Sequence, residues 1–426
     1  MQAVGEESQG TGRMTGMLKS VAALLVSIAL LLLANGLFST LLAVRMTAEG
    51  FSVGLAGVVG AAYFAGLIAG SLIAHKLVER VGHIRTFAAL ASLISAFAML
   101  HAIFVDPLVW AVLRGLTGIC MAGVFVVTES WLNGAATNQN RGQMLSAYLI
   151  TTYLALGLGQ FLLTLYDPAS FVLFSLASIL FSVSLVPLAL DRQASPTPVQ
   201  PTRFSFARLY RISPLGVIGC LASGILTGAF YGLGPIFAAG MGLSLAGISA
   251  FMSATILGGL VLQWPVGKLS DRFDRRSVLV AVLAAAALVS LAVVPALGLS
   301  FELLLAVAAL QGGLSFVVYP LSVAHTNDHI AADDLVPASA GLLIAYGVGA
   351  VLGPLTASQA MALVGPEALY YTLAVTSLLV AGFGLYRMTR RAAPTVEEQG
   401  PFVPLTRMTG VAAELDPRGE EDSTAG

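Results

Sequence analysis

Few side chains in this sequence could do chemistry, and what they could do is hold charge rather than make bonds. Arg114 stands inside an apolar run, beside Gly115, Gly118 and Ala122. Ionisable residues in such runs are costly and face an interior or a cavity by default. Arg114 could hold an anionic group or order a polar cavity; an arginine near the end of a run can also snorkel to the interface. The small neighbours favour the interior role, because they allow helices to pack closely. Glu129 follows 15 residues later and is the one carboxylate within a run. It reads either as a proton site or as half of a structural ion pair with Arg80, Arg85 or Arg141, and the nearby arginines make the pair the expected role. His325, Asp328 and His329 have a metal-like spacing, with Asp333 and Asp334 behind them. No remote cluster completes such a site, so a solvated loop and no metal are expected. His101 stands alone and reads as packing near a helix end. No phosphate loop of the Walker type occurs. The chain is therefore not expected to be an enzyme, and it offers neither catalytic residues nor a need for a cofactor.

One charged stretch occurs twice. Residues 267–276 read Gly-Lys-Leu-Ser-Asp-Arg-Phe-Asp-Arg-Arg, and residues 75–85 read His-Lys-Leu-Val-Glu-Arg-Val-Gly-His-Ile-Arg. Lys76, Leu77, Glu79 and Arg80 match Lys268, Leu269, Asp271 and Arg272 at a constant offset of 192 residues. An acid at a helix end can pair with nearby arginines and face the positive N-terminus of another helix. Between two halves of a molecule, such contacts exist in one arrangement and break in the other. Glu79, Arg80, Arg85, Arg141, Gly267, Asp271, Arg272, Arg275 and Arg276 are the gate candidates. The plain alternative is that these charges only mark one side of a membrane.

The elements that must position these residues are apolar helices. The 426 residues are 57% hydrophobic and 10% charged, against about 25% charged in a soluble domain. Net charge is −1, so no basic field points to nucleic acid. Cys120 and Cys220 lie inside apolar runs and read as packing residues. Twelve apolar spans can be marked, at roughly 18–43, 53–74, 86–104, 108–131, 143–165, 169–189, 214–238, 245–266, 277–297, 301–325, 337–362 and 366–387. Each is near the ~20 residues that cross a bilayer as a helix. The first lacks a cleavage site and reads as a membrane helix rather than a signal. With the N-terminus inside, 19 of the 21 Lys and Arg fall in cytoplasmic segments, which the positive-inside rule requires. The expected class is an all-α, multi-pass protein of the plasma (inner) membrane with both termini cytoplasmic. Its expected organisation is a disordered tail at 1–16, a six-helix half at 17–189, a linker at 190–213, a second six-helix half at 214–391 and a disordered tail at 392–426.

These residues resemble a known family. The stretch 267–276 resembles the loop signature of the major facilitator superfamily, and Arg114-x-x-x-Gly118 resembles its fourth-helix motif. Thr128-Glu129-Ser130-Trp131, Asn140-Arg141-Gly142, and Tyr346-Gly347-Val348-Gly349 leading to Gly353-Pro354 are similar to the YcaD-like branch. The resemblance covers about 18–390. It implies two pseudo-symmetric halves that rock about a central site, with Asp271 approaching Arg141 and Gly142, and Glu79 approaching Pro337 and Ser339. His75 stands where the signature has glycine, and Gly82-His83-Ile84 replace the charges of the second copy, so the first copy is expected to gate more weakly.

Polar residues at helical spacing mark a candidate cavity. Asn35, Arg114, Tyr153, Gln160, Tyr231, Gln263, Gln311 and Tyr346 are the candidates; helix–helix hydrogen bonding is the competing role for each. Together they describe a mildly polar cavity with one arginine, suited to a small organic solute, with or without one negative group, better than to a metal ion. The function expected is secondary active or facilitative transport by alternating access, with proton coupling left open, a monomer, and the bilayer and a small molecule as partners. The alternative is a sensor that binds its ligand on the same fold without transporting it.

Overall fold

The computed structural model describes residues 2–137, 140–190, 205–331, 334–390 and 399–409, with side chains from Val21 onward. Its helices are α1 (Gln2–Ala48), α2 (Val53–Val81), α3 (His83–Ile103), α4 (Pro107–Ala135), α5 (Arg141–Gly159), α6 (Val172–Val183), α7 (Leu185–Ala189), α8 (Phe206–Ile212), α9 (Pro214–Gly240), α10 (Leu245–Arg272), α11 (Arg275–Leu299), α12 (Phe301–Asn327), α13 (Leu335–Val364) and α14 (Ala368–Met388). Among the described residues, twelve segments are long and apolar enough to cross a membrane. The sixth is α6 and α7 together; the seventh to twelfth are α9–α14. Most of the linker (191–204), Asp333, and residues 391–398 and 410–426 with the acidic patch Glu420, Glu421 and Asp422 lie outside the described residues.

The 192-residue repeat of the charged stretch extends to backbone and packing. Gly50 and Gly242 both have positive φ, 72° and 82°, a region open to glycine at no steric cost. Two residues on, Ser52 caps α2 by accepting from the Leu55 amide at 3.3 Å, and Ser244 caps α10 by accepting from the Gly247 amide at 3.2 Å. Ser at this position satisfies an amide that the first turn leaves free. Gly66 then lies against the backbone of Gly115 on α4, and Gly258 against the backbone of Ala309 on α12, each so closely that a Cβ would overlap it. The same inter-helix notch is thus cut in both halves. In the first half it brings Tyr63 under Arg114.

Three expectations about the boundaries differ from the structure. The charged stretches are helical: Lys76–Arg80 end α2 and Lys268–Arg272 end α10. Lys, Leu, Glu and Arg are good helix formers, and cations favour a helix C-terminus. At the N-terminus, α1 already begins at Gln2, where residues 1–16 were expected to lack structure. No proline interrupts that stretch, and a helix already nucleated extends at the gain of one hydrogen bond per residue. The third difference is at the other end, where residues 399–409 of the expected disordered tail run back among the helices; Val403, Leu405, Thr406 and Thr409 are buried. The apolar side chains of this short segment offset its ordering entropy by leaving water.

Candidate functional site

At the end away from the charged stretches the two halves meet directly. Gly57 on α2 packs on Ser358 and Pro354 of α13, and Gly60 approaches Gly232 of α9. Nearer the middle lies a cavity lined by α1, α2, α4, α5, α9 and α13 and by Arg407 and Met408. At the charged end the segment 399–409 stands between the halves.

Four of the cavity candidates, Asn35, Arg114, Tyr231 and Tyr346, line this space. Arg114 is 7% exposed, so it does not snorkel. Its guanidinium carbon lies 4.2 Å from the Tyr63 ring centroid and 5.8 Å from that of Phe38. Nη1 of Arg114 and Oδ1 of Asn35 are buried without a hydrogen-bond partner. Among the described residues, no carboxylate pairs with Arg114.

Tyr153 and Gln263 line an adjoining smaller space with Tyr231, Phe316 and Arg407. Gln263 donates from Nε2 to Tyr153 Oη at 2.8 Å. The remaining two candidates lie elsewhere. Gln160 joins α1 to α5, accepting from Thr40 Oγ1 at 2.5 Å and donating to the carbonyls of Gly36 and Leu156. Gln311 donates to Ser315 Oγ on its own helix at 2.8 Å. Both lie outside the cavity because their amides find partners one turn away or across one helix contact.

Glu129 is fully buried on α4. Tyr148 Oη donates to it at 3.3 Å and Thr406 Oγ1 at 2.7 Å, and Thr409 Oγ1 donates to its other oxygen. The hydroxyl contacts from the tail were not foreseen.

Three gate candidates of the second copy, Gly267, Asp271 and Arg275, meet the tail. Asp271, 40% exposed, accepts from Arg275 at 3.2 Å and from the Phe402 amide at 2.8 Å. Arg275 is 1% exposed and reaches Asp328 at 2.6 and 2.7 Å, and also the Gly400 carbonyl at 2.7 Å. Gly267 carries the Phe402 ring where a Cβ would stand. Arg276 turns to Asp274, which caps α11, and Arg272 is exposed. Among the described residues Asp271 bonds Arg275 and the Phe402 amide, where Arg141 and Gly142 were expected. Glu79, Arg80 and Arg85 are exposed, and the hydroxyl of Ser339, expected to meet Glu79, has no partner.

Asp328 is a further correction. With its metal-like neighbours it was expected in a solvated loop, but its side chain is 2% exposed and bonds Arg275 and the Gly400 amide. Arg208 on α8 holds Asp334 at 2.8 Å. Sequence reasoning also missed Arg407, counted with the cytoplasmic charges. Its guanidinium carbon lies 4.3 Å from the Phe316 ring centroid, and Nη1 is 3.5 Å from Thr227 Oγ1. The clue was compositional: Phe402-Val403-Pro404-Leu405 is an apolar island in a polar tail.

Comparison with known proteins adds family information. A family model described as Major Facilitator Superfamily matches residues 24–299 and 217–413. An uncharacterized MFS-type transporter YcaD from Escherichia fergusonii is 29% identical over 364 residues, covering 85% of this chain and 94% of that one. An uncharacterized MFS-type transporter from Enterobacter sp. (strain 638) is 32% identical over 346 residues, 79% of this chain and 87% of that one. Among solved structures, the nucleoside transporter NupG superposes with a TM-score of 0.69 at 13% identity, covering 87% and 99% of the two chains. A bacterial homolog of the human lysosomal transporter Spinster gives 0.65 at 12% identity, covering 90% and 98%.

Proposed function

We propose that this chain, which belongs to the Major Facilitator Superfamily and is a multi-pass membrane transporter, carries a small organic solute with an anionic group by alternating access. The observation that carries the reading is Arg114. A buried guanidinium with no carboxylate partner and an unfilled donor, on the wall of a central cavity, is a charge in want of an anion. Asn35, with its unfilled acceptor on the same wall, offers a polar group of the solute a second contact. The halves meet at one end and are wedged at the other, which supports a state open toward the charged end. Closing that end would let Asp271 leave Phe402 for the start of α5, the exchange that gives two exclusive arrangements.

Lysine and arginine placement supports a cytoplasmic charged end in an inner membrane, with both termini inside. A cysteine at Glu49, in the turn after α1, should be labelled by an impermeant maleimide applied outside intact cells. A cysteine at Lys268 should not be. The opposite pattern would reverse the orientation. Transport itself is tested with purified protein in liposomes, by counterflow of small organic anions and zwitterions with and without a pH gradient. Failure of every charged solute, with uptake of a neutral one, would remove Arg114 from the solute's path.

Glu129 is read as structural. Glu129→Gln should lower thermal stability, since hydrogen bonds to a charged group are worth about 1.5–3 kcal/mol each. Any remaining transport should keep its pH dependence. A mutant that is stable and exchanges solute, but no longer concentrates it against a pH gradient, would make Glu129 a proton site.

A further inference from the structure

The segment 399–409 does more than cover the cavity, because it places a cation in an aromatic setting. The Tyr231 and Phe316 rings stack at 5.8 Å with 13° between planes, and Tyr153 adds a third ring 6.3 Å from Phe316. Arg407 lies over this group, 4.3 Å above Phe316. Tyr346 lines the same cavity as Tyr231 and Arg407. These rings come from α5, α9, α12 and α13, so both halves contribute to the setting. Phe316 presents its face to the Arg407 guanidinium, and an aromatic face in a desolvated position suits guanidinium and alkylammonium groups. Glu129 lies close by, since it accepts from Thr406 and Thr409 on either side of Arg407.

The way Arg407 is held points to a replaceable occupant. Its neighbours in the tail are fixed by main-chain bonds at the cavity mouth: the Phe402 amide to Asp271, the Gly400 carbonyl to Arg275 and the Gly400 amide to Asp328. Asp271 is itself half-exposed. The anchor therefore sits on the helix end proposed to move when that end closes.

We infer that the rings of Tyr153, Tyr231, Phe316 and Tyr346 form a subsite for an organic cation, guanidinium or ammonium, and that Arg407 of the chain's own tail occupies it as a tethered competitor. The inference rests on reading the central cavity as the solute path. Arg114 lies on the same cavity, so a solute that meets both groups carries one charge of each sign. A tethered group competes at an effective concentration of roughly millimolar, so a free cation binds weakly until the tail withdraws.

The test is equilibrium binding to the full chain in detergent, with three probes. 4-Guanidinobutyrate carries both charges, 4-ureidobutyrate keeps the carboxylate but is neutral at the other end, and butylguanidinium keeps only the cation. In Arg407→Gln, 4-guanidinobutyrate should bind about tenfold or more tightly than in the native chain, and about tenfold or more tightly than 4-ureidobutyrate. Arg407→Lys should stay like the native chain, because it restores a cation. Equal binding of the guanidino and ureido compounds to Arg407→Gln overturns the cation subsite while leaving Arg114 as an anion site. Tight binding of butylguanidinium with no gain from the carboxylate upholds the subsite and counts against the function proposed for Arg114. A second arm needs no change at Arg407. A cysteine replacing buried Val403 should be alkylated faster when butylguanidinium is added and not when butylurea is. An unchanged rate at saturating probe would show that the cation and the tail do not compete, and would overturn the inference even if Arg407→Gln does not fold.

Discussion

Asp328→Ala should destabilise this transporter far more than Asp271→Ala. Asp328 and Arg275 are both almost fully buried, at 2% and 1% exposure, and meet through two oxygens at 2.6 and 2.7 Å. Removing one partner of such a pair typically costs about 3–5 kcal/mol, because the surviving charge stays buried. Asp271 supplies the comparison, since it touches the same arginine at 3.2 Å but is 40% exposed. Exposed pairs contribute about 0–1 kcal/mol, so Asp271→Ala should leave the thermal midpoint nearly unchanged. The same two substitutions should both loosen the tail, because Asp328 accepts from the Gly400 amide and Asp271 from the Phe402 amide. Thermal unfolding and alkylation of a cysteine at Val403 read the two effects separately. Equal midpoints for the two alanine variants would show that Arg275 reaches water once Asp328 is gone, and would refute the buried-pair account.

The pairing of Arg275 also shows what the sequence could and could not display. Twelve spans, the two halves and the repeated stretch were legible because each rests on local composition and a constant offset. The matched glycines Gly50 and Gly242, the capping serines and the notch glycines Gly66 and Gly258 obey the same offset. Aligning the halves on Lys76 and Lys268 brings them into view. Arg114 was legible because an arginine among small apolar residues has few places to go. Partners were not legible. The contact of Asp328 with Arg275 closes across 53 residues, and that of Thr406 with Glu129 across 277. Nothing in spacing or periodicity encodes such distances. Gln160 and Gln311 were misjudged for a related reason: a polar residue in a membrane helix serves a neighbouring helix as readily as a cavity. Arg407 was hidden by its surroundings, because a polar, proline-containing tail reads as disordered whether or not a few apolar residues let it dock.

Arg114 should behave in the opposite sense to Asp328, and that opposition separates a binding arginine from a structural one. The residue is 7% exposed, its guanidinium stacks on Tyr63 at 4.2 Å, and Nη1 is unbonded. An unpaired buried charge costs several kcal/mol of stability. Arg114→Gln removes that charge and keeps a polar though shorter side chain, so its thermal midpoint should equal or exceed that of the native chain. Binding should fall. A hydrogen bond to a charged group is worth about 1.5–3 kcal/mol, so a carboxylate-bearing solute should lose roughly tenfold to a hundredfold in affinity. A neutral solute of the same shape should lose little. Arg114→Lys keeps the charge but not the planar fork or the ring stacking, so it should recover only part of the affinity. Stability that rises as anion binding falls is the signature of a residue held in strain for a ligand. The reverse result would assign Arg114 to helix packing: a chain that loses stability on Arg114→Gln yet still binds carboxylate solutes at native strength. The anionic end of the solute would then have to be sought elsewhere in the cavity.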